Sequence, residues 1–502
     1  MIVGVLGAGT MGAGIAQLAA ASGADTLLYD PDKAALASGI RSIGARLARE
    51  VEKGRLEAGK AGMVEAAEEL DELIVADVVI EAAPESLELK RNLFGRVAGI
   101  VRDDCVLASN TSSLSVTEIA AGVPVPERVV GMHFFNPAPV MKLVEVVAGE
   151  RSGEAALQTT RELGRAMERH VIDAADGPGF LVNRCGRPFS LEALRIVQEG
   201  LATVEQVDRI CRLGGGFRMG PFELMDLVGI DVGFEVSKSF YAQSFGESRW
   251  RPSMLAARKV ASGDHGRKTG RGWYEYPEDG EHRPPDPGPP EGRGDGFVVI
   301  GGWTALADEL REAAEAAGWQ VEGDGVPALV VDCGGHDEDD PPLQGGPQVI
   351  LCDEGPLAEL DPEGSAAGFF AAAPLGGLVE LTRSPTTSEA AARAAEAFFA
   401  SIGRHVEWVG DAPGLVLGRI VAQLVNEACF ALGDGVGSPE DLDAGMVLGL
   451  NHPRGPLEWG DAIGPASVVA VLAGLYEEYR EERYRIAPAL LRAIRTGTPL
   501  RS

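Results

Sequence analysis

The chain has 502 residues, 45% of them hydrophobic and 24% charged, a globular balance that excludes intrinsic disorder and at ~100–200 residues per domain allows roughly three to five domains. With 75 acidic against 45 basic residues the net charge is −30, so a nucleic acid would be repelled over most of the surface, and an anionic ligand must be met by a local device such as a helix N-terminus. No charge-free run of ~18 apolar residues occurs, which argues against a membrane-spanning helix. The six cysteines form no C-x-x-C pair and have no His at ligand spacing, so a reducing, cytoplasmic compartment without a metal site is expected.

Residues 2–6 (IVGVL) read as a strand rather than a signal peptide, followed by a Gly-rich turn and an Ala-rich helical stretch. TLLYD at 26–30 is a second strand, and 34–60 is helical in composition. Strands at 75–85, 105–110 and 127–135 alternate with a helix from Leu87 to Ile100, which predicts an α/β domain with a parallel, doubly wound sheet. From 178 to 275 the pattern becomes helical. Residues 276–296 are dense in Pro, Gly and charge and read as a flexible linker.

The rest of the chain repeats the first part. Phe134-Phe135, Ala138-Pro139 and Leu143-Val144-Glu145 recur, 235 residues later, as Phe369-Phe370, Ala373-Pro374 and Leu378-Val379-Glu380. At the same offset Pro178-Gly179 recurs as Pro413-Gly414, Arg184 and Glu192 as Arg419 and Glu427, and Gly220-Pro221 as Gly455-Pro456. GFVVIGG, ALVVDC and PQVILCD, with a helix at 305–317, read as a worn sheet domain before that second copy. The expected organisation is a sheet domain at 1–177, a helical domain at 178–275, a linker at 276–296, a degenerate sheet domain at 297–411 and a second helical domain at 412–502.

Gly7-Ala8-Gly9-Thr10-Met11-Gly12 is G-x-G-x-x-G directly after the first strand and opening a helix, the context that makes this pattern a dinucleotide-binding, Rossmann-like turn. Gly7 permits the turn, Gly9 lets the backbone approach a pyrophosphate, Gly12 lets helix and strand pack, and the helix N-terminus faces the phosphates. Asp30 follows the second strand; a carboxylate there accepts from the ribose hydroxyls and repels a 2′-phosphate, which selects NAD over NADP.

His133 ends a strand, where ligands of such sheets bind, and Glu145 follows in an apolar stretch. A carboxylate on one ring nitrogen fixes the tautomer and makes the other nitrogen the base that alcohol oxidation needs. Ser112, just beyond the strand at 105–108, can hydrogen-bond a substrate oxygen, although the SNTSSL run also suits a helix N-cap at Ser113 or Ser115. Asn183, where the helical domain begins, can hold a carbonyl or serve as a cap.

Together with Asn110 to Ser113, the run from His133 to Pro137, Met141 to Glu145, Pro178 to Arg184 and Met219 to Leu224, the dinucleotide turn resembles the L-3-hydroxyacyl-CoA dehydrogenases over residues 1 to about 276. The duplicated layout resembles the 3-hydroxybutyryl-CoA and 3-hydroxyadipyl-CoA dehydrogenase type. The resemblance implies that His133 is the general base and Glu145 its partner. It implies that Ser112 and Asn183 hold the 3-oxygen and thioester region, and that Glu85, Lys90, Asn110, Asn136 and Lys268 lie near the NAD. The family places a CoA-contacting helical hairpin at 38–60, where Arg46, Arg49 and Lys53 share a basic helical face that suits phosphates or is simply a solvated surface.

At the constant offset His133 becomes Gly368 and Asn183 becomes Gly418, while Glu145 persists as Glu380; Gly301-Gly302-Trp303 replaces the dinucleotide turn. The first copy is therefore expected to be the enzyme, the second a scaffold. An intrachain pseudo-dimer of the two helical domains is expected, with further oligomerisation open. The competing functions are an NAD-dependent dehydrogenase of a free 3-hydroxy or sugar acid, and a catalytically silent NAD-binding structural protein.

Overall fold

The computed structural model describes residues 1–502 except 58, 279–280, 336–342 and 344. The chain divides into two compact units, 1–184 with 434–450, and 185–433 with 451–502.

The first unit is built on eight strands: β1 (Ile2–Leu6), β2 (Asp25–Tyr29), β3 (Val64–Ala67), β4 (Val78–Glu81), β5 (Val106–Ser109), β6 (Val129–Phe134), β7 (Leu143–Ala148) and β8 (His170–Ala175). Their order is β3-β2-β1-β4-β5-β6-β7-β8, so the strand order reverses at β1 and β4. In such a sheet a ligand binds beyond the strands' carboxyl ends at that reversal. All neighbours are parallel except β6 and β7. That departure from the expected all-parallel sheet arises because residues 135–142 contain no helix to carry the chain back across. Strands β4, β5 and β6 are buried along their whole length, as a sheet covered on both faces requires.

The sequence reading overextends one helix. The stretch expected to be helical over 34–60 is helix Lys33–Glu52, begun by the Asp32 carboxylate, which accepts from Ala34 N–H at 2.8 Å. It ends because Gly54 takes a left-handed φ of +67° two residues beyond it. The strands β3, β7 and β8 are additions to the sequence-based assignment.

The second unit carries the six-stranded sheet β9 (Val298–Gly301), β10 (Leu329–Asp332), β11 (Gln348–Leu351), β12 (Ala367–Phe370), β13 (Leu378–Thr382) and β14 (His405–Trp408), in the order β14-β13-β12-β11-β10-β9. This matches β8-β7-β6-β5-β4-β1 of the first sheet. Among the described residues it has no counterpart of β2 and β3, the strands on the adenosine side of a dinucleotide fold.

Helix Val182–Glu199, from Cys185 onward, runs against helix Leu417–Gly433 of the second copy. The fully buried Arg419 guanidinium lies 2.6 Å from Glu192 and 2.9 Å from Glu199, and the Tyr484 hydroxyl donates to Glu192 at 3.0 Å. Reciprocally, Arg249 of the first copy pairs with Glu427 at 2.7 Å. The two glutamates that the repeat relates thus each sit against cations or donors of the opposite copy.

Helices are also exchanged between copies. Within the second unit, the π-helical turn Ile210–Gly214 lies on the second sheet, the Leu213 carbonyl accepting from Gly377 N–H at 2.7 Å. Within the first unit, helix Pro439–Leu450 lies on β7 and β8 of the first sheet, the Val436 carbonyl accepting from Ala175 N–H at 2.8 Å. The expected flexible linker is pinned where it is described: Asp286 pairs with Arg212 at 2.9 Å and His282 meets Glu223 at 3.0 Å. Residues 279–280 of that segment lie outside the described residues. Among the described residues no single helix is long and apolar enough to cross a membrane.

Candidate active site

The turn Gly7–Gly12 joins β1 to helix Thr10–Ala21 at the strand reversal. Gly7 has φ +104°, and a Cβ there would lie 2.7 Å from the Ala82 carbonyl oxygen. A Cβ at Gly12 would lie 1.8 Å from the Gly7 carbonyl oxygen, whereas one at Gly9 would meet nothing within 4 Å. Two glycines therefore allow close packing, and the third leaves bare backbone open to a ligand. One Asp30 oxygen accepts from Ala8 N–H at 2.8 Å, and the other from Asp32 N–H at 2.9 Å, so the carboxylate is oriented beside the turn. This cradle fits a pyrophosphate and an adenosine ribose, the shape of NAD.

His133 and Glu145 face each other across the antiparallel pair β6–β7. His133 Nδ1 is 2.5 Å from Glu145 Oε2, and Glu145 is fully buried. Its other oxygen accepts from Val182 N–H at 2.9 Å and Leu181 N–H at 3.2 Å, the opening of helix Val182–Glu199. Gly179 (φ +74°) and Phe180 (φ +52°) make the left-handed turn that aims those two donors. The helix N-terminus thus stabilises the carboxylate. A carboxylate at Nδ1 favours the tautomer with its proton on that nitrogen, in which Nε2 is the acceptor. Phe135 and Phe180 flank the imidazole at ring-centroid distances of 4.6 and 5.9 Å.

Ser112 follows β5, the sheet neighbour of β6, and Asn183 follows Val182, whose N–H holds Glu145. Ser115, not Ser112, caps helix Val116–Ala120, accepting from Glu118 N–H at 3.2 Å. Asp176 secures the same helix start, accepting from Thr117 N–H at 2.8 Å and the Ser115 hydroxyl at 2.7 Å. Ser112 and Asn183 are both half-buried.

Of the residues expected near the cofactor, Glu85 gathers the segment after β5: its Oε1 accepts from the Thr111 hydroxyl at 2.6 Å and from Ser112 and Ser113 N–H at 3.1 Å. Burial opposes its ionisation, but Lys90 and these donors outweigh it and hold the carboxyl below its ordinary range. Lys90 is buried, 2.7 Å from Glu81 and 3.2 Å from Glu85. Its ammonium is occupied inside the protein. Asn110 Oδ1 accepts from Phe134 N–H at 2.8 Å and ties the end of β5 to β6. Asn136 is exposed on the connection after β6. Lys268 lies in the second unit, paired with Asp231 at 2.6 Å.

Arg46 and Arg49 are exposed on helix Lys33–Glu52, and Lys53, its C-cap, is exposed as well. Among the described residues of 38–60 the expected helical hairpin appears as this one helix and a turn after it; Arg55 pairs with Glu50 at 3.7 Å and Lys60 with Glu57 at 2.5 Å. Sequence reasoning missed Glu81, a buried carboxylate that also accepts from the Ser109 hydroxyl at 2.6 Å and anchors Lys90. Its signal was a glutamate ending the apolar run VVIE.

The second copy differs from the expectation in one respect. Glu380 faces Phe370, not Gly368, because the connection between β12 and β13 is two residues shorter than that between β6 and β7. The constant offset fails across that connection, and Phe370 is the counterpart of His133. Gly418, the counterpart of Asn183, leaves room for the aromatic ring: a Cβ there would lie 2.6 Å from Phe370 Cζ. Phe370 and Gly418 line an apolar cleft with Leu351, Val468 and Val471. Glu380 keeps its two backbone donors, Val416 N–H at 2.7 Å and Leu417 N–H at 2.9 Å.

A dinucleotide cradle at the strand reversal, with a carboxylate-bound histidine at the carboxyl end of a nearby strand, defines a nicotinamide-dependent dehydrogenase that acts on an alcohol. Comparison with known proteins gives the family. Residues 2–177 match the 3-hydroxyacyl-CoA dehydrogenase NAD-binding domain, and 179–276 and 414–501 each match the 3-hydroxyacyl-CoA dehydrogenase C-terminal domain. The chain is 35% identical over 491 residues to 3-hydroxyadipyl-CoA dehydrogenase of Escherichia coli (strain K12), covering 96% of this chain and 95% of that one. A crystal structure of 3-hydroxybutyryl-CoA dehydrogenase from Escherichia coli K12 superposes with a TM-score of 0.85 at 34% identity, covering 99% of both chains. A 3-hydroxybutyryl-CoA dehydrogenase of Bradyrhizobium diazoefficiens matches 55% of this chain and 94% of its own, at 39% identity. The chain belongs to the 3-hydroxyacyl-CoA dehydrogenase family, and it is an NAD-dependent oxidoreductase.

Proposed function

We propose that the first copy oxidises an L-3-hydroxyacyl-CoA to the 3-oxoacyl-CoA, reversibly, and that His133 is its general base. The observation that carries this reading is the 2.5 Å contact between His133 Nδ1 and a Glu145 carboxylate held by two backbone N–H groups. Nε2 takes the 3-hydroxyl proton, and Glu145 stabilises the imidazolium that results. Ser112 and Asn183 hold the 3-oxygen and the thioester region. The turn Gly7–Gly12 would hold NAD, which would supply the hydride acceptor for the oxidation at C3. Asp30 selects it over NADP, and Glu85, Lys90, Asn110 and Asn136, with Lys268 from the helical part, shape its surroundings. Arg46, Arg49 and Lys53 offer the phosphates of CoA a cationic face in a chain of net charge −30.

Helix Val182–Glu199 against helix Leu417–Gly433, with Arg419 on Glu192 and Arg249 on Glu427, supports an intrachain pseudo-dimer with one active site per chain. The partition at 177, 275, 296 and 411 is the domain organisation we propose, and the cytoplasm its location. A protein truncated after residue 296 is expected to aggregate or to dimerise; a monomeric, fully active one would remove the pseudo-dimer. The activity is tested by NADH oxidation at 340 nm with acetoacetyl-CoA and with free acetoacetate. Turnover of the thioester supports the proposal, and turnover of the free acid alone favours the free-acid dehydrogenase.

A further inference from the structure

We propose that helix Pro439–Leu450, contributed by the silent copy, is a positioning element for the His133–Glu145 pair of the active copy. The proposal rests on the catalytic reading above and extends it.

Glu145 is held by the N–H groups of Leu181 and Val182, so its place depends on where those two residues sit. Their side chains are seated on the second copy. A Cβ at Gly445 would lie 2.8 Å from Leu181 Cδ2 and 2.9 Å from Val182 Cγ2. One at Gly449 would lie 3.1 Å from Val182 Cγ1, 2.9 Å from Leu143 Cδ2 and 3.5 Å from the Phe135 ring. Both glycines are buried. Phe135 in turn lies 4.6 Å from the His133 imidazole, ring centre to ring centre. The helix therefore backs the glutamate through Leu181 and Val182, and the histidine through Phe135.

The segment is fastened independently of that packing. Arg184, two residues after Val182, pairs with Asp434 at 2.6 Å. Ala175 N–H donates to the Val436 carbonyl at 2.8 Å. The chain is fixed just ahead of the helix, and its two buried glycines give the dyad's supports no slack.

The repeat supplies an internal control. Gly214, the counterpart of Gly449, lies against Leu378 and Leu417, a Cβ there meeting the Leu378 carbonyl oxygen at 3.3 Å and Leu417 Cδ2 at 3.5 Å. Leu417 N–H holds Glu380 as Val182 N–H holds Glu145. Opposite Glu380, however, stands Phe370, so a displacement of Leu417 there disturbs no reacting group.

The test is steady-state kinetics of the full-length chain carrying Gly449→Val or Gly214→Val. Gly449→Val is expected to lower kcat by ~10–100-fold, the scale on which small misplacements of catalytic groups act. The KM for NADH is expected to stay within about twofold, because the dinucleotide turn is untouched. Gly214→Val is expected to keep kcat within about twofold. A wild-type kcat in Gly449→Val, or equal losses in the two variants, overturns the proposal. If either valine variant does not fold, Gly449→Ala and Gly214→Ala are compared in the same way, with a smaller loss expected for the first alone. His133→Gln at the wild-type rate would instead remove the catalytic reading on which the proposal rests, so the two failures are separable.

Discussion

Phe370 stands opposite Glu380 in the pair β12–β13, the position that His133 holds opposite Glu145 in β6–β7. At this register the second copy has a phenylalanine for the histidine while the buried carboxylate and its two backbone N–H donors remain in place. The counterparts of β2 and β3 are missing from the same sheet among the described residues, and with them any counterpart of Asp30 at the end of β2. The second copy thus has no histidine opposite Glu380 and, among the described residues, no strand to carry a counterpart of Asp30, but it keeps the contacts of Arg419 and Glu427 with the first.

Without a histidine, burial pushes the Glu380 carboxyl from its ordinary value of 4.5 up to about 8, against the pull of Leu417 and Val416 N–H. Its folded-state pKa lies above its unfolded one, so the folded protein binds more protons. The stability this group contributes is present below pH 4.5 and is lost as pH rises through about 8. Glu380→Gln cannot ionise, so its melting temperature is expected to gain on the wild type between pH 5 and 9. Parallel melting curves over that range would contradict the assignment.

Arg419 is fully buried between Glu192 and Glu199. Arg419→Ala strands the Glu192 carboxylate and is expected to cost about 3–5 kcal/mol in denaturant unfolding. The double variant Arg419→Leu with Glu192→Leu is expected to recover much of that loss. A loss below ~1 kcal/mol for the single variant would show that the pair does not hold the two copies together.

Asp30 is oriented by Ala8 and Asp32 beside the dinucleotide turn. Asp30→Ser is expected to raise the KM for NAD by about tenfold, the loss of one charge-assisted hydrogen bond, and to narrow the preference over NADP. Equal use of NADPH and NADH by the wild type would show that this carboxylate does not face the ribose.

The legible part of this protein was local. The G-x-G-x-x-G turn, Asp30, His133 and Glu145 were readable because each chemistry demands a residue type at a fixed place in a strand–turn–helix. The repeat was readable because helix packing preserved Arg184, Glu192, Arg419 and Glu427. The register of β12 was not. A two-residue shift in a strand keeps every side chain on its original face, so the apolar strand Ala367–Phe370 matches Met132–Phe135 or Val130–His133 equally well by pattern. Glu81 was missed because its partner Lys90 lies on the next helix, and Asp176 because the helix it caps begins 60 residues earlier. The seating of Leu181 and Val182 on Gly445 and Gly449 joins residues more than 260 apart in sequence, and no local pattern marks it.

The central claim is that the proton leaves the substrate through His133, and the measurement that tests it most directly is acetoacetyl-CoA reduction by His133→Gln followed at 340 nm, beside NADH binding by the same variant. A fall in kcat of ~10²–10⁴ with NADH affinity retained is the predicted result, the usual share of general acid–base catalysis. A His133→Gln enzyme that turns over at the wild-type rate would contradict the account.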